Sequence, residues 1–238
     1  MIQGLYTSAS GMAAHQSRLD ILANNLANAD TPGFKADLIT IDQSVIPENL
    51  ASPISVPMST VEPGRPGMNF APGVLKTTGN PLDLAIIGPG LFVVDTPHGE
   101  RYTRAGNFVR YAQGVLATQD GFRVLGTDGA VSVPETGFRV DANGRVADGG
   151  ALRIVGSEPF PGLVKVGTSL FDAAEGAPAP AELTDVTVAQ GQLEGSNVNV
   201  VMSMVEMLAT LRTYEVYQKT IQTLDQTVGQ ATNDLGRA

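Results

Sequence analysis

Val198-Asn199-Val200-Val201-Met202-Ser203-Met204-Val205-Glu206-Met207-Leu208-Ala209-Thr210-Leu211 is the stretch that decides how this chain is built. Val198, Val200, Val201, Met202, Met204, Val205, Met207 and Leu208 fall within eleven residues, so a helix here is apolar on more than one face. Val201, Met204, Leu208 and Leu211 alternate steps of three and four, the spacing of a coiled-coil seam. The pattern resumes at Tyr214, Tyr217, Ile221, Leu224, Val228, Ala231 and Leu235 after two successive steps of three. Such a stammer overwinds a supercoil or rotates the buried face. The spacing predicts a helix over 198–235, about 38 residues and roughly 57 Å long, with Asn197 or Ser196 as its cap.

The other end of the chain carries a matching stripe. Leu5, Met12, Leu19 and Leu26 recur every seven residues and predict a helix over 2–28, roughly 40 Å long. Thr7, Ser8, Ser10 and Gly11 weaken it locally. Asn24, Asn25 and Asn28 compete for backbone partners and have two readings. They mark a fraying end, or their amides bond across to a neighbouring helix and fix its register. Asp30-Thr31-Pro32-Gly33 then stops the helix, with Pro32 presetting φ and Gly33 supplying the positive φ of a type II turn.

Between the helices nothing reads as helix. Pro47, Pro53, Pro57, Pro63, Pro66 and Pro72 make residues 37–73 an extended linker with a few short strands. Residues 74–195 show short β runs: Leu82–Ile87, Leu91–Asp95, Arg101–Thr103 and Phe108–Tyr111. Asp120-Gly121, Asp128-Gly129 and Asn143-Gly144 are hairpin signals between such runs. The segment from Asp172 to Ala181 reads as an exposed loop. The fold class is therefore α+β: long N- and C-terminal helices (1–36 and 196–238) packed as a coiled-coil-like helical domain, with a central β-rich antiparallel domain at 74–195.

Charge follows the same partition. The net charge is −9, and the two ends are close to neutral, so the middle holds nearly all of it. Neutral ends fit burial, and an acidic body fits water and repels nucleic acid. There is no cysteine, so disulfides, thiolate metal sites and cysteine nucleophiles are excluded. Met1-Ile2-Gln3-Gly4 opens no signal peptide, and no apolar run is long enough for a membrane span. Composition alone suggests the cytoplasm.

Little in the sequence points to catalysis. His15 lies on the first helix and His98 in a turn, neither with a motif around it. Asp141-Ala142-Asn143-Gly144 resembles the start of a calcium loop but lacks its closing glutamate, and reads as a hairpin turn. Gly88-Pro89-Gly90 lacks the lysine and helix of a phosphate loop. No catalytic, cofactor-binding or metal-binding residue is expected. The helices can pack on each other as a hairpin, but the C-terminal one is too broadly apolar for one neighbour, and self-assembly resolves the exposure.

Four runs carry a family likeness. Ala23-Asn24-Asn25-Leu26-Ala27-Asn28-Ala29-Asp30-Thr31-Pro32-Gly33-Phe34-Lys35 resembles the N-terminal motif of bacterial flagellar rod and hook proteins. Thr78-Gly79-Asn80-Pro81-Leu82-Asp83-Leu84-Ala85-Ile86 is similar to the motif that opens their central domain, and Tyr102-Thr103-Arg104-Ala105-Gly106-Asn107-Phe108, with Asp120-Gly121-Phe122 through Gly126, continues it. Leu193-Glu194-Gly195-Ser196-Asn197-Val198-Asn199-Val200 is similar to the motif entering their C-terminal helix. Length, with Val133–Val140 and Gly162–Gly167, looks most like the proximal-rod members; the distal rod stays open.

The resemblance implies a non-catalytic axial subunit of the rod that crosses the periplasm, exported by the flagellar type III apparatus, which overrides the cytoplasmic expectation. It implies copies of itself and other rod subunits as partners, with no nucleic acid, cofactor or membrane insertion. Leu5, Met12, Leu19, Leu26, Val201, Met204, Leu208, Leu211, Ile221 and Leu224 are the expected subunit-packing positions. Asn24, Asn25 and Asn28 are the expected register residues, and Pro32 and Gly33 the turn. A wall hydrolase and a surface-binding module on a helical stalk are the alternatives.

Overall fold

In the computed structural model both terminal stripes form helices, α1 over Ile2–Ala27 and α2 over Val200–Leu235. The structure describes residues 2–45, 59–147, 150–156, 162–174, 176–178, 180–183 and 185–235. The chain divides into two units, one of residues 1–27, 37–69 and 199–238, the other of residues 28–36 and 70–198.

In the first unit α1 and α2 pack antiparallel. Gly4 meets Leu224 and Gly11 meets Tyr217, seven residues apart on each helix, and Arg18 lies 3.9 Å from Glu206. The expected caps are corrected: Asn199 Oδ1 accepts the Met202 N–H at 3.0 Å, so Asn199, not Asn197 or Ser196, starts α2. The proline-rich stretch supplies strands β1 (Asp37–Val45) and β2 (Ser59–Met68), paired antiparallel and grouped with the helices. Pro63 and Pro66 are tolerated because a two-stranded ribbon has only edge strands, and its register slips between Ile39 and Ile41. Pro47, Pro53 and Pro57 lie outside the described residues.

The strands described in the second unit all pair antiparallel. Its strands are β3 (Leu75–Thr77), β4 (Leu84–Ile87), β5 (Leu91–Thr96), β6 (Gly99–Thr103), β7 (Val109–Arg110), β8 (Leu116–Ala117), β9 (Arg123–Gly126), β10 (Gly129–Ala130), β11 (Ile154–Val155), β12 (Leu163–Val166), β13 (Leu170–Ala173), β14 (Thr187–Gln190) and β15 (Gln192–Glu194). The main sheet runs β12-β13-β6-β5-β9-β8-β7, with β10 on β9 and β11 sharing an edge of β5 with β9. Strands β14 and β4 pair separately, as do β15 and β3.

Four successive residues of β5, Leu91 to Val94, are buried, so this strand is covered on both faces. Phe92 and Val94 join the main core with Phe108, Leu116, Val124 and Ile154, and Phe92 meets Phe108 edge-on at 5.1 Å. Val93 pairs with Tyr102, which pairs with Phe171, so these share the other face, where Phe171 lies 5.5 Å from Phe70. β13 runs into Asp172 and Ala173, which the sequence suggested were loop.

Candidate functional site

In the first turns of α2 the faces are inverted relative to an ordinary surface helix. At 100° per residue, Ser203, Thr210, Tyr217 and Leu224 share one side. Thr210 is buried there and donates its hydroxyl to the Glu206 carbonyl at 2.7 Å. The opposite side of the first turns carries Val201, Met204, Val205 and Leu208, and Val201 is 72% and Leu208 59% exposed. Leu211 is exposed as well, whereas Ile221 and Leu224 are half-buried. The apparent single stripe is thus two stripes: at the stammer it passes from the outer to the inner side of the helix.

On α1 the most buried positions are Ser8, Gly11, Ala14, Leu22 and Asn25. Met12, Leu19 and Leu26 flank that face, half-buried; the Leu5 side chain lies outside the described residues. The small residues read as helix-weakening let the helices approach: a Cβ on Gly11 would stand 2.8 Å from the Tyr217 ring. His15 packs tilted against the same ring at 5.4 Å, and among the described residues its buried Nδ1 has no hydrogen-bond partner. Burial, with Arg18 assisting, pulls the His15 pKa below its ordinary value.

Asn25 neither frays nor reaches for another helix in this chain. Its amide donates to the Asp37 carbonyl at 2.8 Å and accepts the Asp37 N–H at 2.9 Å, which fastens α1 to the start of β1. Asn28 accepts the Thr31 hydroxyl in the turn, and Asn24 is exposed. The Phe34 N–H bonds to the Thr31 carbonyl around Pro32 and Gly33, and Gly33 has φ +68°, as a type II turn requires. A Cβ on Gly33 would also collide with the backbone of Ala105.

The second unit holds a buried charge cluster assembled from three of the motifs. Glu194 Oε1 accepts from Lys35 Nζ at 2.7 Å and from the Gly73 N–H at 2.9 Å, and its Oε2 accepts from Arg104 Nε. Lys35 and Glu194 are each 2% exposed. Lys35 also donates to the Phe70 and Ala71 carbonyls, and Arg104 to those of Ile86, Gly88 and Gly90. Burial alone would raise the Glu194 pKa, but Arg104, Lys35 and the Gly73 N–H outweigh it and hold the carboxyl below its ordinary range. Burial, with repulsion from Arg104, draws the Lys35 ammonium down despite Glu194, since two cations share one anion.

Around the cluster the segment following α1 and the segment preceding α2 are bound together. Glu194 carbonyl accepts the Gly33 N–H at 2.8 Å, and Asn197 accepts the Ala36 N–H while donating to the Ala71 carbonyl. Lys165 covers the Phe34 ring at 3.7 Å. In the Thr78–Leu84 motif, Asp83 accepts from Thr78 and Asn80. These groups are saturated by one another, so the motifs form a structural junction rather than a reactive site. Sequence reading quoted Lys35, Arg104 and Glu194 only within motifs and gave them no role. The available signal was a basic residue in each of two motifs, Lys35 and Arg104, and an acid, Glu194, in a third.

Among the described residues the candidate positions for chemistry do not gather. His98 sits exposed at the β5–β6 turn. Asp141 Oδ1 accepts the Asn143 and Arg145 N–H groups, the geometry of a turn. A cavity of about 520 Å³ beside it holds Arg153, which is paired with Glu100 and Glu182. Among the described residues no group of acids and histidines could hold a metal, and no helix is long and apolar enough to cross a membrane.

Comparisons with known proteins cover the same segments. The family described as "Flagella basal body rod protein" matches residues 5–35. "Flagellar hook protein FlgE/F/G D1 domain" matches 85–156, and "Flagellar basal body rod FlgEFG protein C-terminal" matches 189–235. The chain is 32% identical over 268 residues to the basal-body rod protein FlgG of Bacillus subtilis, covering 98% of this chain and 99% of that one. It is 33% identical over 248 residues to FlgF of Caulobacter vibrioides, covering 100% and 99%. It is also 33% identical over 252 residues to FlgF of Salmonella typhimurium, covering 97% of each.

Proposed function

This chain belongs to the flagellar basal-body rod protein family, and from that premise we propose that it is a proximal-rod subunit of the FlgF kind. It is a structural subunit of the rod and not an enzyme. The FlgF alignments are shorter than the FlgG one and closer to this chain's 238 residues, which favours FlgF over the distal-rod alternative. Restoring motility to a strain lacking FlgF, but not to one lacking FlgG, is the expected result. Rescue of only the second strain would reverse the assignment.

Assembly proceeds through the terminal helices. The observation that carries this reading is the inverted amphipathicity of the first turns of α2: from Val201 to Leu211 the more apolar side faces out. A lone chain leaves that area in water at roughly 25 cal/mol per Å² of apolar surface, and neighbouring subunits recover it. In the assembled shaft Val201, Met204, Leu208 and Leu211 pack against other helices. Met12, Leu19, Leu26, Ile221 and Leu224 then complete a coiled-coil-like helical layer, with Leu5 on the same seam and Asn24 and Asn28 setting register. The layer lines the export channel and transmits torque, and subunits reach it through the type III apparatus.

Leu208→Asp tests the surface. It is exposed in the single chain, so the variant should keep wild-type circular dichroism and unfolding. It should fail to enter the rod, because an unpaired charge buried between helices costs several kcal/mol. Normal incorporation of this variant would sink the assembly reading.

A further inference from the structure

Asn143 is the one asparagine of this chain that is followed by a glycine. It is exposed at the tip of a hairpin whose arms meet at the Val140–Val146 bridge. Three bonds to Asp141 close that turn. Asp141 Oδ1 accepts the Asn143 N–H at 2.9 Å and the Arg145 N–H at 2.8 Å, and the Asp141 carbonyl accepts the Gly144 N–H at 3.0 Å. The last of these bonds occupies the nitrogen that would attack the Asn143 side chain. We infer that Asn143 is a deamidation site of this subunit, and that the Asp141 side chain gates it by holding the turn closed around the Gly144 nitrogen.

Water is the only co-reactant. With the turn open, the Gly144 nitrogen gives up its proton and attacks Asn143 Cγ. The new N–Cγ bond closes a succinimide ring, the Cγ–Nδ2 bond breaks, and the amide nitrogen takes up a proton and leaves as ammonia. Water then adds to either imide carbonyl and opens the ring to aspartate or isoaspartate. Glycine suits the attack because no side chain shields its nitrogen. The closed turn opposes it, since the nitrogen must be freed before the two atoms reach bonding geometry. Reaction through a minor open state tracks the population of that state.

The product matters to the fold. Isoaspartate adds a methylene to the backbone inside the hairpin. Gly144 is buried there, its carbonyl accepts the Leu152 N–H at 2.8 Å, and a Cβ on it would stand 3.4 Å from Val188. Val140, Val146, Leu152 and Val188 all belong to the main core, so a longer turn disturbs that core. The reaction turns the time spent with this turn open into a lasting mark: an added negative charge and a loosened hairpin. Every group involved lies in the second unit.

The test incubates the purified full chain in mildly alkaline buffer, native and in urea, and follows each asparagine by peptide mass spectrometry. In urea Asn143 should be largely converted before Asn107 and Asn199, which precede Phe108 and Val200, change measurably. Folding should slow Asn143 at least about tenfold, and Asp141→Ala should return most of that factor by removing two hydrogen bonds from the closed turn. Asp141→Asn keeps an acceptor oxygen and should stay as slow as the wild type. The isoaspartyl form, separated by chromatography, should unfold at lower urea than the unreacted chain. An Asn143 no faster in urea than Asn107 and Asn199 would overturn the site. Equal rates in the native and unfolded chains, or in native wild type and Asp141→Ala, would overturn the gate. So would an Asp141→Ala chain that has lost the wild-type circular dichroism, since its fast reaction would then report global unfolding.

Discussion

At the scale of single residues, the Lys35–Glu194–Arg104 cluster shows how a buried charge acts. A buried ion pair adds little net stability compared with apolar packing, because both charges lose water, yet removing one member leaves the others stranded. Glu194→Gln keeps the shape and removes the anion beneath two cations, so the second unit should lose about 3–5 kcal/mol. The pH dependence follows from the lowered Glu194 pKa. Its contribution is complete above the unfolded-state value and is lost as pH falls through the folded-state value. The wild type should therefore hold its full advantage over Glu194→Gln from neutral pH down to the ordinary glutamate range, and lose it progressively in stronger acid. Denaturant midpoints of both chains between pH 7 and pH 3 measure this. A gap that stays constant across that range would mean that Glu194 is not ionised in the fold.

At the scale of elements, both helices were legible because their apolar spacing survives any context. β5 and its hairpin were legible from Leu91-Phe92-Val93-Val94 and the turn after it. What spacing does not reveal is which side of a helix is in. Ser8, Gly11 and Thr210 look like weak or polar positions, yet they are buried because small side chains let α1 and α2 come close. The strong stripe Val201–Leu208 looks like the inner seam and lies outside, since spacing shows that a face is apolar and not which neighbour covers it. Gly11 tests this contact. Gly11→Ala should gain up to about 1 kcal/mol of helix propensity. It should nevertheless weaken the α1–α2 pair, because the new methyl displaces the Tyr217 ring. Tyr217→Leu, with a shorter side chain, should relieve most of that loss. A double-mutant cycle read by thermal unfolding gives the coupling, and additive effects would show that the two residues do not meet.

At the scale of the whole molecule, the motifs that identified the family are the ones that close the second unit, which does not begin and end where its strands do. A sequence-based boundary at 74–195 keeps β3 through β15 but omits Lys35, Gly73 and Asn197. Glu194 would then retain Arg104 and lose its other two partners, Lys35 and the Gly73 N–H. The unit drawn by contacts joins residues 28–36 to 70–198 across residues 37–69, so a faithful fragment needs both segments. A chain of residues 28–36 linked by a flexible Gly/Ser spacer to 70–198 should unfold in one cooperative transition. The 74–195 fragment should be destabilised by several kcal/mol, since it strands a buried carboxylate and exposes the face covered by Phe34 and Phe70. Lys35→Met in the linked fragment should remove much of the difference between the two. Equal stability of the two fragments, measured by urea unfolding, would show that the junction only decorates a domain complete without it.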